Sequence, residues 1–234
     1  MNELDWHADR SDLHPLELQD NAPESEGIDL VAVRRYRQNR LREEMSTQGV
    51  DALIISDPVN IRYASGARNM QVFSARNTPA RYLLLTQHRS VLFEFTGCEH
   101  LADGLETIDE VRPAMTASFV AAGHDIAERE QQWAREMLAT ITELCGLKAV
   151  IGMERMNAGT AIAFDRLGAR VVDAQAPLER ARAIKSDEEL KCVVASLRAT
   201  ERGVGRLREA IRPGITENEL WSVLHQSIIA DNGD

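Results

Sequence analysis

The residues best equipped for chemistry fall in two places. His124-Asp125-x-x-Glu128 brings three metal-ligand types together, but it stands where an amphipathic helix begins. There Asp125 suits the N-cap and Glu128 completes a capping box, so the spacing predicts capping rather than ligation. The better candidate is residues 67–78, a polar loop between two ordered elements that holds Arg68, Asn69, Met70, Gln71, Phe73, Arg76 and Asn77. Polar donors interleaved with Phe73 and Met70 suit a surface that closes over a small ligand or packs on a partner. The same residues also fit a purely structural loop.

Other catalytic templates fail. The chain has no G-x-G-x-x-G, no G-x-x-x-x-G-K-[ST], no G-x-S-x-G and no H-E-x-x-H. Gly203-Val-Gly205 lies inside a helical pattern, where close packing explains it better than phosphate binding. His7, His14, His88 and His100 fall in loops or the N-terminal arm and read as solvated. His225 sits beside Trp221 on the last helix and reads as packing or surface. Cys98, Cys145 and Cys192 are widely spaced, with no C-x-x-C, and suit reduced thiols in a cytoplasmic protein.

The elements that must position these residues alternate in type. A helix is predicted over 30–48 with Gly49 as its stop, then a buried strand at 50–55 broken by Asp57-Pro58. Strands follow at 81–85 and 90–95, joined by a hairpin-length loop, and another at 106–111. Residues 126–145 form an amphipathic helix with Trp133, Met137, Leu138, Ile141 and Leu144 inward. A strand at 148–152, a helix at 158–167 and a short strand at 170–172 complete the pattern. This alternation predicts an α/β domain, a mixed sheet of five or six strands flanked by helices.

A second domain opens near residue 176. Ser186-x-x-Glu189 fits a capping box ahead of a helical run of Leu190, Val193, Val194, Leu197, Val204, Leu207 and Ile211, which Pro213-Gly214 ends. Thr216 starts another helix that carries Leu220, Trp221, Leu224, Ile228 and Ile229. Two helices cannot make a catalytic core. The organisation expected is an acidic arm at 1–30, an α/β domain at 31–175, and the first piece of a further domain at 176–234.

Composition narrows the partners. The 234 residues are 44% hydrophobic and 27% charged, as in soluble globular proteins. The net charge of −10 is uneven. Residues 1–30 hold nine acidic side chains against one arginine, and the remainder is nearly balanced, so nucleic-acid binding has no basic face to use. The arm suits either a solvated segment or one docked on the arginines of the first helix, Arg34, Arg35, Arg37, Arg40 and Arg42. No run of eighteen apolar residues is present, and a membrane span is not expected; nor is a secretory signal.

Three stretches together resemble one family: Asp57-Pro-Val-Asn-Ile-Arg-Tyr-Ala-Ser-Gly66, Arg182-Ala-Ile-Lys-Ser-Asp-Glu-Glu-Leu190 and Arg212-Pro-Gly-Ile-Thr-Glu-Asn-Glu-Leu220. Their order and separation look like the creatinase, prolidase and aminopeptidase P group, whose catalytic domain has the pita-bread fold. The resemblance covers roughly 31–231. Around Asn69-Met-Gln71 it is similar to the bacterial branch containing the dimethylsulfoniopropionate lyase, which turns the same fold to a β-elimination.

The resemblance implies a divalent metal (Mn, Fe, Co or Zn) held by two Asp, one His and two Glu in the second half of the pita-bread domain. This sequence ends before those ligands, so no catalytic or metal-binding residue is assigned within it. It also implies a homodimer in which the N-terminal domain closes over the neighbour's active site, with Asn69, Gln71, Phe73 and Arg76 in the closing position. The expectation is therefore the N-terminal portion of a metal-dependent Xaa-Pro peptidase or creatinase-type hydrolase acting on a peptide or small molecule. A free-standing, non-catalytic creatinase-type domain and part of a dimethylsulfoniopropionate lyase are the alternatives.

Overall fold

The computed structural model describes residues 27–68 and 80–230. They divide into two compact units, one of Asp29–Glu188 and one that includes the chain from Glu189 onward.

The first unit is built around β1 (Ala52–Ile55), four residues buried on both faces. Helix α1 (Leu30–Gln48) precedes it and α2 (Pro58–Ser65) follows it. β2 (Tyr82–Thr86) and β3 (Ser90–Glu94) form a hairpin, and β4 (Glu110–Pro113) lies beside β3. After a short turn, α3 (Phe119–Ala122), comes the long α4 (Ile126–Cys145), then β5 (Val150–Met153), α5 (Ala158–Arg166), β6 (Arg170–Asp173) and α6 (Gln175–Ala183).

The strand order is β4-β3-β2-β1-β5-β6. β2 alone is antiparallel to its neighbours, and the other pairings are parallel. Pro113 closes the edge strand β4, where a missing N–H costs no ladder bond.

Period-two alternation divides the core between the two faces. Leu53, Ile55, Leu83, Leu85 and Leu92 pack beneath Leu41 and Met45 of α1, Ile61 of α2, and Leu178 and Ala181 of α6. Ile54, Tyr82, Leu84, Val91 and Phe93 pack beneath Trp133, Met137 and Ile141 of α4 and Phe164 of α5. The result is a helix–sheet–helix sandwich with a mixed sheet, as the alternation predicts. Gly152 is needed in β5, because a Cβ there would meet Leu53 Cδ2 at 2.5 Å.

The structure differs from the sequence-based expectations in detail. The strand expected at 106–111 forms at Glu110–Pro113, and Asp57-Pro58 opens a helix in place of a plain turn. The boundary expected near 176 falls inside α6, whose Leu178 and Ala181 belong to the first core; the compact unit continues to Glu188. Asp125 occupies the N-cap position of α4, but its side chain makes no capping bond. Three arginines of α1 are engaged within the unit. Arg34 pairs with Glu106 at 2.8 Å, Arg40 with Glu43 and Glu44, and Arg42 donates to the Thr86 carbonyl. Residues 1–26 lie outside the described residues, so the docking expectation for the arm does too.

In the second unit, α7 (Asp187–Ala210) and α8 (Glu217–Ala230) meet around Gly203 and Ser227. A Cβ on Gly203 would meet Leu224 Cδ1 at 3.1 Å, which supports the packing reading of Gly203-Val-Gly205. Arg206 donates to the buried Ser227 hydroxyl at 2.8 Å. The capping box at Thr216 is complete: Thr216 N donates to Glu219 Oε2, and Glu219 N to Thr216 Oγ1. His225 packs against Trp221 with the rings tilted 54° and their centroids 4.5 Å apart.

Ile54→Asp would place an unpaired carboxylate between β1 and α4, at a cost of several kcal/mol. Loss of the cooperative thermal transition, followed by circular dichroism, is the expected outcome.

Candidate functional site

Five of the six strands run the same way, so their carboxyl ends share one edge of the sheet. From β1 the chain proceeds to β2, β3 and β4 on one side, then returns to place β5 and β6 on the other. The carboxyl edge between β1 and β5 is therefore the topological switch point, the place where open α/β sheets leave a crevice. A cleft of about 400 Å³ opens there, lined by Asp57, Asn60, Glu154, Arg155, Asp173 and Arg182 among others.

Each residue is set by the turn it occupies. β1 ends at Ile55, and Asp57 caps α2 by accepting from Val59 N at 2.9 Å and Asn60 N at 3.3 Å. Pro58 follows in the first turn, where it has no bond to lose. β5 ends at Met153, so Glu154 and Arg155 project over the same edge. Arg155 takes a left-handed φ of 40°, an uncommon conformation for a residue with a side chain, and its Nη1 meets Asp57 Oδ2 at 2.8 Å.

Glu154 is the centre of the arrangement. Only 8% exposed, it accepts from Ser56 N at 3.2 Å and Asp57 N at 3.0 Å on Oε2, and from Asn60 Nδ2 at 2.5 Å on Oε1. The Ser56 hydroxyl donates to the Glu154 carbonyl at 2.8 Å. Burial pushes the carboxyl above its ordinary range; the Asp57 and Ser56 amides and the Asn60 side chain pull against it, and the Asp57 charge adds to the rise.

Asn60 passes the network onward. Its Oδ1 accepts from Arg182 Nη1 at 3.0 Å. The amide has one orientation that satisfies both neighbours, NH2 toward the carboxylate and oxygen toward the guanidinium. Tyr63 donates to the Ala181 carbonyl at 2.9 Å, and the Arg37 guanidinium lies 5.2 Å from its ring centroid. Two of the stretches that carry the family resemblance, 57–66 and 182–190, thus meet in space through Asn60–Arg182 and the adjacent Tyr63–Ala181 bond.

The cleft's chemistry is that of a structural junction. Glu154, Asp57 and Asp173 each accept N–H donors of the fold. Among the described residues there is no group of three His, Cys, Asp or Glu able to hold a metal ion. His124 makes an edge contact with the Phe119 ring, with centroids 6.4 Å apart.

The expected closing residues Asn69, Gln71, Phe73 and Arg76 lie outside the described residues. The chain leaves toward them after α2 and re-enters the sheet at β2, whose first residue pairs across to the hairpin strand β3. Just before it, Arg81 makes a buried ion pair with Glu94 at 2.7 Å. Sequence reasoning missed Glu154. Its signal is slight, an acidic residue directly after the apolar strand Val150–Met153, and nothing in the spacing links it to Asn60 or Arg182.

The fold and this junction define a three-layer α/β domain of a recognisable class. Residues 37–184 match the Creatinase/Prolidase N-terminal domain, and the chain belongs to that family. It is similar to Dimethylsulfoniopropionate lyase DddP of Roseobacter denitrificans, 23% identical over 235 residues that cover 98% of this chain and 49% of that protein. Among solved structures it is similar to an X-Pro aminopeptidase from Thermotoga maritima (18% identity, TM-score 0.60, 83% of this chain and 49% of that one). The Dipeptidase PepE from Mycobacterium ulcerans is also similar (20% identity, TM-score 0.56, 88% and 51%). At such identities the structures establish the fold. The chain spans about half the length of these relatives.

Glu154→Leu would strand three donors, the Ser56 and Asp57 amides and the Asn60 side chain, at about 1–3 kcal/mol for each buried group left unpaired. Urea unfolding should show a large loss. The deficit should also depend on pH. A carboxyl raised in the folded state contributes stability that is complete below its ordinary value of 4.5 and is lost as pH rises through the raised value. The wild type's lead over Glu154→Leu should therefore narrow from pH 4 toward neutrality.

Proposed function

We propose that this chain is the N-terminal portion of a metal-dependent hydrolase of the Xaa-Pro peptidase and creatinase class. In this reading residues 29–188 serve dimerisation and the closing of a neighbouring active site, and α7 and α8 begin the pita-bread catalytic domain. The observation that carries the reading is the apolar surface of those two helices. Leu190, Val193, Val194, Leu197 and Val204 on α7, and Trp221 and Ile229 on α8, are 44–65% exposed. Patches of this kind mark interfaces, and the relatives matched are about twice the length of this chain.

The described side chains do not fit a divalent metal, since the carboxylates of the switch-point cleft are engaged by the fold's own donors. Catalytic residues are therefore proposed to reside in the second half of the full-length protein. A lyase of the same fold acting on dimethylsulfoniopropionate is the second reading. It is favoured by the similarity to Dimethylsulfoniopropionate lyase DddP along 98% of the chain.

Two measurements test these proposals. The 234-residue chain should hydrolyse no Xaa-Pro dipeptide, release no dimethyl sulfide, and show no stoichiometric submicromolar binding of manganese by calorimetry. Turnover or such binding would overturn the assignment of catalysis to the other half. In analytical ultracentrifugation the chain should self-associate at tens of micromolar, because burying a few hundred Å² of apolar surface favours association by roughly 25 cal/mol per Å². Deleting residues 186–234 should leave a better-behaved protein. A stable monomer of the full 234 residues would contradict the reading of α7 and α8.

A further inference from the structure

Of the groups that bond Glu154, one can turn. Glu154 Oε2 accepts from the Ser56 and Asp57 backbone amides at 3.2 and 3.0 Å, and both are fixed by the turn between β1 and α2. Oε1 accepts from the Asn60 side chain at 2.5 Å. A primary amide has a donor end and an acceptor end of nearly equal size, which exchange places by a half-turn about its last bond. Asn60 is 5% exposed and stands between the Glu154 carboxyl on one side and the Arg182 guanidinium, 3.0 Å away, on the other.

That placement couples three groups. As a carboxylate, Glu154 can only accept, so Asn60 points its NH2 at Oε1 and its oxygen at Arg182. A proton added to Glu154 goes to Oε1, because Oε2 already faces two fixed donors. Oε1 then donates, and Asn60 satisfies it by presenting its oxygen. The 2.5 Å separation suits this arrangement too, since it falls in the range of O–H···O bonds. The same half-turn aims the Asn60 NH2 at the Arg182 guanidinium, which has donors and no acceptor. Arg182 has another partner at hand, the Glu179 carboxylate 3.6 Å away on its own helix.

We propose that Asn60 is a two-position relay: it holds Arg182 to α2 while Glu154 is ionised, and turns over and releases Arg182 to Glu179 when Glu154 takes up a proton. Beyond Ala181, which Tyr63 holds in either state, the end of α6 is thereby fastened at higher pH and loosened as pH falls. Burial disfavours the Glu154 carboxylate and moves the change above the ordinary carboxyl value of 4.5. The other charges around the cleft are Asp57 after β1, Arg155 beside Glu154, Asp173 on β6 and Glu179 on α6. Asp57 adds to the rise, and Arg155 is occupied by Asp57 at 2.8 Å. The relay lies within the first unit and is independent of the hydrolase reading.

The test is an NMR titration of the ¹³C,¹⁵N-labelled full chain from about pH 4 to about pH 8. The Glu154 carboxyl carbon, the Asn60 side-chain NH2 and the Arg182 Nε should move together, with one midpoint above 4.5. In Glu154→Gln the new side chain must give its oxygen to the two backbone amides, so its NH2 faces Asn60. The Asn60 and Arg182 signals should then stay at their low-pH positions throughout. Arg182→Ala should raise the Glu154 midpoint, because a bond that favours the carboxylate is gone. In an Asn60→Ala background the same change should leave that midpoint in place. The wild-type titration and Arg182→Ala decide the matter should Glu154→Gln fail to fold. Absence of a Glu154 transition in this window above 4.5, or Asn60 signals indifferent to it, would overturn the proposal. So would high-pH signal positions in folded Glu154→Gln, no rise of the midpoint in Arg182→Ala, or an equal rise without Asn60.

Discussion

A carboxylate removed from water must find donors, and the three that Glu154 finds decide how this domain is assembled. Two are backbone amides at the end of β1, and the third is the Asn60 side chain on α2. One buried group therefore joins the carboxyl ends of the two central parallel strands to the helix between them. Asn60 then engages Arg182 with its remaining oxygen. The place where the chain leaves the domain is tied, through two side chains, to the middle of the sheet. Tyr63 adds a second tie one turn along the same helix.

This gives the family's sequence signature a physical meaning. Asp57, Asn60 and Tyr63 are spaced three apart, so one turn of α2 separates each from the next. Asp57 serves the helix's own start, while Asn60 and Tyr63 reach across to α6. The residues that look most like a motif thus hold structure in this unit.

Much of the frame was legible in the sequence because local signals and tertiary packing agree. Ala52–Ile55, Leu83–Leu85 and Val91–Phe93 are apolar runs too short for helices, and all are buried strands. Trp133, Met137 and Ile141 repeat at helical spacing and form the underside of α4. Thr216 and Glu219 cap α8 as their spacing indicates. The misses have equally local causes. β4 forms at Glu110–Pro113 because pairing with β3, and not its own propensity, sets its register. α6 belongs to the first core through Leu178 and Ala181, although a second domain was expected to open near residue 176. Glu154 carried only a slight signal, since its partners lie 94 to 98 residues away in sequence.

The central claim is that Asn60 and Arg182 act as one structural unit connecting the sheet to the domain's exit. A double-mutant cycle of Asn60→Ala, Arg182→Ala and the pair, measured by urea unfolding, tests it most directly. The bond predicts a coupling of about 0.5–1 kcal/mol, modest because Arg182 is partly exposed. Strict additivity of the two single variants would show that the contact carries no energy, and would contradict the account.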